Sequence, residues 1–245
     1  MVSWLPIGDS DVESSSPNRL LRALPPAEQV RLMGRMQRRL VTPGEVLYEP
    51  GRRLEHAFFP ETAVVSLLTI LSDGVGIETA TVGREGMVGV FLFLGDDRSR
   101  NGRAVVQMAG SVLRLDVDSF RAELVEGGKL EQLMLTYSRA LLMHVSQSVA
   151  CGAVHPVRAR LARWLLQTSD RTASDDVALT QQFLADILGV RRASVTEAVG
   201  ELQSRGAVAA RRGGILVLDR SILSRSACEC YDIVREVYEV LGPGD

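Results

Sequence analysis

Arginine presents a planar fork of donors that suits a phosphate or the edge of a guanine, and every basic residue between 157 and 225 is an arginine. Eleven arginines face seven acids in that stretch, a surplus of four in a chain whose formal net charge is −2. Charge therefore has to be read by segment. The run from Leu179 to Gly206 arranges some of these arginines for contact. Thr180 suits the N-cap of a helix ending near Leu188, and Gly189 suits a left-handed turn after it. A second helix from about Arg192 to Arg205 buries Val195, Val199 and Leu202, and Gly206 closes it. Small Ala185 permits the tight crossing of the two helices. Two-helix hairpins are common, but Ala185, Gly189 and Val195 at these intervals make a specific helix-turn-helix pattern.

In such a motif the start of the second helix enters the major groove of a duplex. Arg191, Arg192, Ser194, Thr196 and Glu197 stand there, with Thr180 and Gln181 at the start of the first helix. The strands expected at Ala207 to Arg211 and Ile215 to Leu218 flank Arg212-Gly213-Gly214, so a β-hairpin wing carries Arg211 and Arg212 at its tip.

Other chemistry is poorly supplied. Cys151, Cys228 and Cys230 are too few for a disulfide framework. With Cys228 and Cys230 on one C-terminal helix, residues two apart point away from each other, a poor chelate that leaves a thiol switch as their remaining use. His56, His144 and His155 are scattered, so no metal is expected. A jelly-roll oxygenase needs two histidines and a carboxylate on neighbouring strands, and no phosphate loop or nucleophile elbow is present. An enzyme is not expected.

The elements that must position the arginine-bearing helix read as follows. Apolar residues from Asn18 to Arg39 fall at helical spacing, divided by Pro25 and Pro26. Short β-rich runs follow (Val46 to Tyr48, Ala63 to Leu71, Ile77 to Val82, Ala104 to Met108, Val112 to Leu115), punctuated by glycine turns, the pattern of a β-sandwich or barrel. From Leu130 to Cys151 one apolar stripe (Leu130, Leu133, Met134, Tyr137, Leu141, Val145, Val149) defines a long helix. That stripe serves either its own domain's core or a dimer seam, and we assign it to the seam. Pro156 ends this helix; another runs from Arg158 to Thr168 before a polar loop at Ser169 to Asp176.

No stretch reaches the roughly 18 apolar residues of a membrane helix. The start, rich in Ser, Asp and Pro, reads as a loose leader and not a signal peptide. A cytoplasmic protein without membrane contact is expected.

With these residues in view, the chain resembles the Crp/Fnr family of bacterial transcription regulators from about Leu20 to Leu223. The resemblance rests on the glycine-punctuated roll, the Asp73-Gly74 hairpin, the long helix, the linking run Arg160 to Leu166 and the winged helix-turn-helix. It implies an α+β chain with five parts. These are a leader (1–17), a β-roll sensor domain of cyclic-nucleotide-binding-like, jelly-roll type (18–129), a dimerisation helix and hinge (130–156), a winged helix-turn-helix (157–222) and a C-terminal helix (223–245). It also implies a homodimer, palindromic double-stranded DNA, contact with RNA polymerase, and recognition helices roughly 34 Å apart.

The departures are informative. Cyclic-AMP-binding relatives carry a Gly-Glu pair followed some ten residues later by Arg-Ser or Arg-Thr. The matching pair here is Gly89-Val90, and valine accepts no hydrogen bond. The matching arginine is Arg100, followed by Asn101, with Arg98-Ser99 in a rival register. Glu85 precedes Gly86 and is badly placed to substitute. A roll pocket lined by Gly89, Val90, Arg98, Ser99, Arg100 and Asn101 is expected, without the usual cyclic-AMP grip. The effector is unknown, with a nucleotide left open, and an effector-free scaffold is the alternative. No iron–sulfur cluster is expected, because no cysteine precedes Cys151. Arg192 matches a base-reading arginine, but Ala193 and Glu197 depart from the family pattern, so a different preferred sequence follows.

Overall fold

The computed structural model describes residues 16–125 and 128–242. The expected leader, 1–17, lies outside the described residues apart from its last two. Two short helices open the described residues, α1 (Arg19–Arg22) and α2 (Pro26–Met33), separated where Pro25 and Pro26 demand it. Asn18 fixes the entry: its Oδ1 accepts from the backbone N–H of Leu20 and Leu21, while its Nδ2 donates to the carbonyls of Pro60 and Gly86 at 2.8 Å each.

The roll consists of β1 (Gln37–Val41), β2 (Val46–Tyr48), β3 (His56–Pro60), β4 (Val64–Ile70), β5 (Gly76–Val82), β6 (Gly102–Met108) and β7 (Gly110–Asp116). They form two antiparallel sheets, β1-β7-β3 and β2-β6-β4-β5, whose facing side chains make one core. The turn between β4 and β5 uses Asp73, whose carboxylate accepts from the Val75 N–H at 3.0 Å, and Gly74 at φ +86°. Strands β1 and β3 escape the sequence pattern. β3 reads His-Ala-Phe-Phe-Pro and is buried from Ala57 onward, so no polar alternation marks it.

Helix α3 (Val117–Val125) leads to α4 (Lys129–Val154), whose first N–H groups are capped from a distance by the Glu28 carboxylate, 3.1 Å from the Lys129 nitrogen. The stripe assigned to a dimer seam needs correction. Leu130, Leu133, Met134, Tyr137 and Leu141 are buried in the chain's own core, Val145 packs against it half-buried, and only Val149 is exposed. Periodicity identifies such a stripe but cannot say what covers it. The cover is the roll on one side and a C-terminal helix on the other. Tyr137 reaches into the roll, donating to the Met87 carbonyl at 2.7 Å.

After the break at His155-Pro156 come α5 (Val157–Thr172), β8 (Asp176–Val177), α6 (Gln181–Leu188), α7 (Arg192–Ser204), β9 (Val208–Arg211) and β10 (Gly214–Val217). The polar stretch at Ser169 to Asp176 is thus largely the last turn of α5 and the start of a third wing strand, in a sheet ordered β8-β10-β9. A second core fills the space between α5, α6, α7 and this sheet. Residues 161–169 of α5 are buried on every side, because the helix is sandwiched between the roll and the winged unit.

The last helices are α8 (Arg220–Ser226) and α9 (Cys230–Glu239). The boundary expected at 222–223 therefore cuts through α8, which packs on α5 as part of the winged unit. Helix α9 joins both cores. Val234 and Tyr238 lie in the first and Tyr231 in the second, and Tyr238 meets His144 of α4 at 3.1 Å.

Candidate nucleic-acid interface

The helix-turn-helix forms as its residues require. The Thr180 hydroxyl caps α6 by accepting from the Phe183 N–H at 3.2 Å, and Gly189 adopts φ +63° at the end of that helix. Ala185 is buried at the crossing, and Val195, Ala198, Val199 and Leu202 turn one face of α7 into the core. The other face is open: Arg191, Arg192, Thr196 and Glu197 are exposed and Ser194 is half-buried. The two helices touch through Thr196, whose hydroxyl lies 2.8 Å from Gln181 Oε1 and 3.1 Å from the Arg192 carbonyl, so its single proton serves either acceptor. No side chain caps α7 at Arg191, which leaves backbone N–H groups at its start available to an anion.

On the wing, Gly213 takes φ +80° in the turn from β9 to β10. A Cβ on Gly214 would fall 2.7 Å from the Val177 carbonyl, so glycine is what lets β8 approach. Arg212 is exposed at the tip, while Arg211 is exposed but leans on Asp176 at 3.2 Å.

The proposed effector residues behave differently. Gly89 is left-handed at φ +100° and leads into a 3₁₀ turn, Val90–Leu92, in which Val90 is buried in the roll's core. Ser99 is buried and its hydroxyl accepts from the Gly102 N–H at 2.9 Å, a turn-forming role. Arg98, Arg100 and Asn101 are exposed. A cleft of about 710 Å³ is lined elsewhere, by residues of α5 and α9 with Arg19, Arg84 and Glu85. Glu85 is committed to a buried ion pair with Arg171 at 2.7 Å, which explains why it cannot replace a missing pocket acid.

Sequence reasoning missed the residues that join the two units. Besides Arg171 and Glu85, Glu78 of β5 faces α5, where Arg163 acts on it electrostatically, and it accepts from Gln107 Nε2 at 3.2 Å. Burial lifts its carboxyl to about 7, against the pull of Ser66, Arg163, Trp164 and Arg171. The expectation of scattered, non-chelating cysteines and histidines also needs correction. Cys228 is not on the C-terminal helix but in the turn before α9, whose first residue is Cys230, so the two thiols need not diverge. Their Sγ atoms lie with Cys151 Sγ and a His155 ring nitrogen in one group, all within 4.8 Å of one another. The one local signal was Cys151 and His155, four residues apart.

A glycine-turned roll, a long helix and a winged helix-turn-helix with an open arginine face together define a two-domain transcription regulator. Residues 38–126 match the cyclic nucleotide-binding domain family, and residues 159–226 match the Crp-like helix-turn-helix domain family. The chain belongs to the Crp/Fnr family. It is 23% identical over 190 residues to the global nitrogen regulator of Synechococcus elongatus, covering 74% of this chain and 86% of that protein. FixK2 from Bradyrhizobium japonicum shares the fold at TM-score 0.66 and 18% identity, over 79% of this chain and 98% of that one. The c-di-GMP responsive global regulator CLP of Xanthomonas campestris shares it at TM-score 0.64 and 14% identity, over 79% and 99%. Among the described residues, no helix is long and apolar enough to cross a membrane.

Proposed function

We propose that this chain acts as a homodimer that reads a palindromic double-stranded DNA site through α7, with the wing arginines on the flanking phosphates. The observation that carries this reading is the exposure of Arg191 and Arg192 at the start of a helix whose opposite face is fully buried. Thr180, Gln181, Ser194, Thr196 and Glu197 supply further contacts to backbone and base edges, and Arg211 and Arg212 complete the positive rim. Two such helices one turn of duplex apart match the two-fold symmetry of a palindrome. Contact with RNA polymerase belongs to the same reading.

The roll is the regulatory unit of this proposal. Its link to the winged unit runs through Glu85–Arg171 and through Glu78 facing α5, so a signal that shifts β5 or α4 shifts the recognition helices, and DNA and signal affinities are coupled reciprocally. Buried Val90 and exposed Arg98 and Arg100 favour a signal other than cyclic AMP held by the usual cassette. The same residues favour, as a second reading, a roll that is a scaffold without effector. Thermal melts with cyclic AMP, cyclic GMP and c-di-GMP separate the two: a nucleotide-regulated roll is stabilised by one of them.

Site selection from random DNA, followed by titration of the selected duplex, tests the DNA reading. Arg192→Ala is expected to lose about 1–3 kcal/mol of affinity and to relax preference at one base pair in each half-site. Unchanged affinity and an unchanged footprint would remove α7 from the duplex.

A further inference from the structure

We infer that Cys151, His155, Cys228 and Cys230 form a site for one tetrahedral, thiophilic metal ion, with Zn²⁺ the best fit, at the junction between α4 and the C-terminal helices. The four donor atoms lie within 4.8 Å of one another. Two edges of the group are tighter, Cys151 Sγ to Cys228 Sγ and Cys230 Sγ to His155 Nδ1, each 3.5 Å. An ion with bonds of about 2.3 Å to sulfur and about 2.0 Å to nitrogen spaces its donors about 3.5–3.8 Å apart. The arrangement is therefore close to that of a mononuclear Cys₃His site before any adjustment. An iron–sulfur cluster spreads its thiolates over several irons and needs a wider span than this.

The surroundings are those of a ligand set. His155 Nε2 lies 3.2 Å from a carboxylate oxygen of Glu229, which orients the ring and leaves Nδ1 to face the sulfurs, the outer-shell partner usual for a metal-binding histidine. Gln147 Nε2 donates to Cys230 Sγ at 3.0 Å, a contact that favours a thiolate. Cys151, Cys228 and Cys230 form a small buried cluster with Ala159 alone, apart from both aliphatic cores. Three thiolates and a divalent ion carry a net charge of −1, and Arg160 and Arg163 lie within electrostatic range of Cys151. On binding, the thiol protons leave to solvent and the ion takes the sulfur lone pairs; nothing is oxidised.

The consequence is mechanical. Cys151 and His155 sit on the two sides of the end of α4, Cys228 lies in the turn before α9 and Cys230 opens that helix, so one ion ties the hinge at Pro156 to the turn behind the winged unit. The ion holds the winged unit at one angle to the long helix.

Metal content of the full-length chain, expressed with added zinc, purified under reducing conditions and desalted, tests this directly. One zinc per chain is expected, and the stripped, reduced chain should bind one equivalent of Co²⁺ with the intense visible bands of tetrahedral thiolate coordination. Cys228→Ser should abolish both. Because that residue is buried, the exposed Glu229→Gln is the second variant: it should fold as the parent does and bind the ion roughly 10–100-fold more weakly. A reduced chain with no bound metal and no cobalt spectrum, iron with acid-labile sulfide, or a Cys151–Cys228 disulfide that persists in reductant would each overturn the assignment. The measurement uses no DNA, so its failure leaves the DNA-binding proposal where it stands.

Discussion

Arg171 of α5 donates through Nε to Glu85 of the roll at 2.7 Å, both side chains less than a tenth exposed, so the two units are joined by a charge pair hidden from water. Removing one member strands the other. Arg171→Ala is expected to destabilise the chain by about 3–5 kcal/mol, whereas replacing Arg171 and Glu85 together by apolar residues of similar volume should recover most of that loss. Urea unfolding of the single and double variants measures both, and a double variant no better than the single would contradict the pairing.

Glu78 makes the same junction sensitive to pH. Its carboxyl sits at about 7 in the folded chain against an ordinary 4.5, mainly because burial opposes its charge. The folded state therefore holds this proton more tightly than the unfolded one. Its contribution is complete below about 4.5 and fades as the pH rises through about 7, a change on the order of 3 kcal/mol. Glu78→Gln should remove that part of the stability–pH curve, leaving stability at neutral pH at or above the parent's. A curve of unchanged slope between those values would show that Glu78 does not titrate there.

Gly86 lies directly under the Tyr137 ring, where an added Cβ would stand 2.4 Å from Cε2. Gly86→Ala is expected to cost about 1–3 kcal/mol through overpacking, a fall of several degrees in Tm for a chain of this size. An unshifted melting curve would mean that α4 and the roll are not in this contact.

What was legible in the sequence was local. Ala185, Gly189 and Val195 announce the helix-turn-helix because a cap, a left-handed turn and a buried face all act within one short segment. Strand β3 was not legible, since a strand buried on both faces loses the alternation that marks strands. Neither was the partner of the α4 stripe, because α9 lies some hundred residues further along the chain and periodicity carries no address. The cysteine–histidine group is hidden in the sequence for the same reason and for one more: α9 starts at Cys230, so Cys228 and Cys230 do not share the helix that would turn them apart. At the proposed DNA surface and the proposed effector pocket, residue types suggested roles, but exposure of Arg98 and Arg100 and burial of Val90 depend on how the roll closes.

The burial of the expected seam relocates the proposed dimer contact on α4 itself. Leu135, Leu142 and Val149 are 59%, 66% and 66% exposed and recur every seven residues, the spacing at which one helix keeps meeting another. Their neighbour Leu141 points the other way and is 7% exposed. The two adjacent leucines should therefore respond in opposite fashion. Leu142→Asp is expected to give a folded monomer, with helix content retained and binding to a palindromic duplex lost. Leu141→Ala is expected to keep the dimer but to lower stability by about 2–5 kcal/mol, the range for emptying a buried leucine site. Sedimentation velocity and urea unfolding of both variants make the comparison. A Leu142→Asp chain that still sediments as a dimer would place the seam on some other surface, because an aspartate cannot be buried unpaired between two apolar helices without a large free-energy penalty.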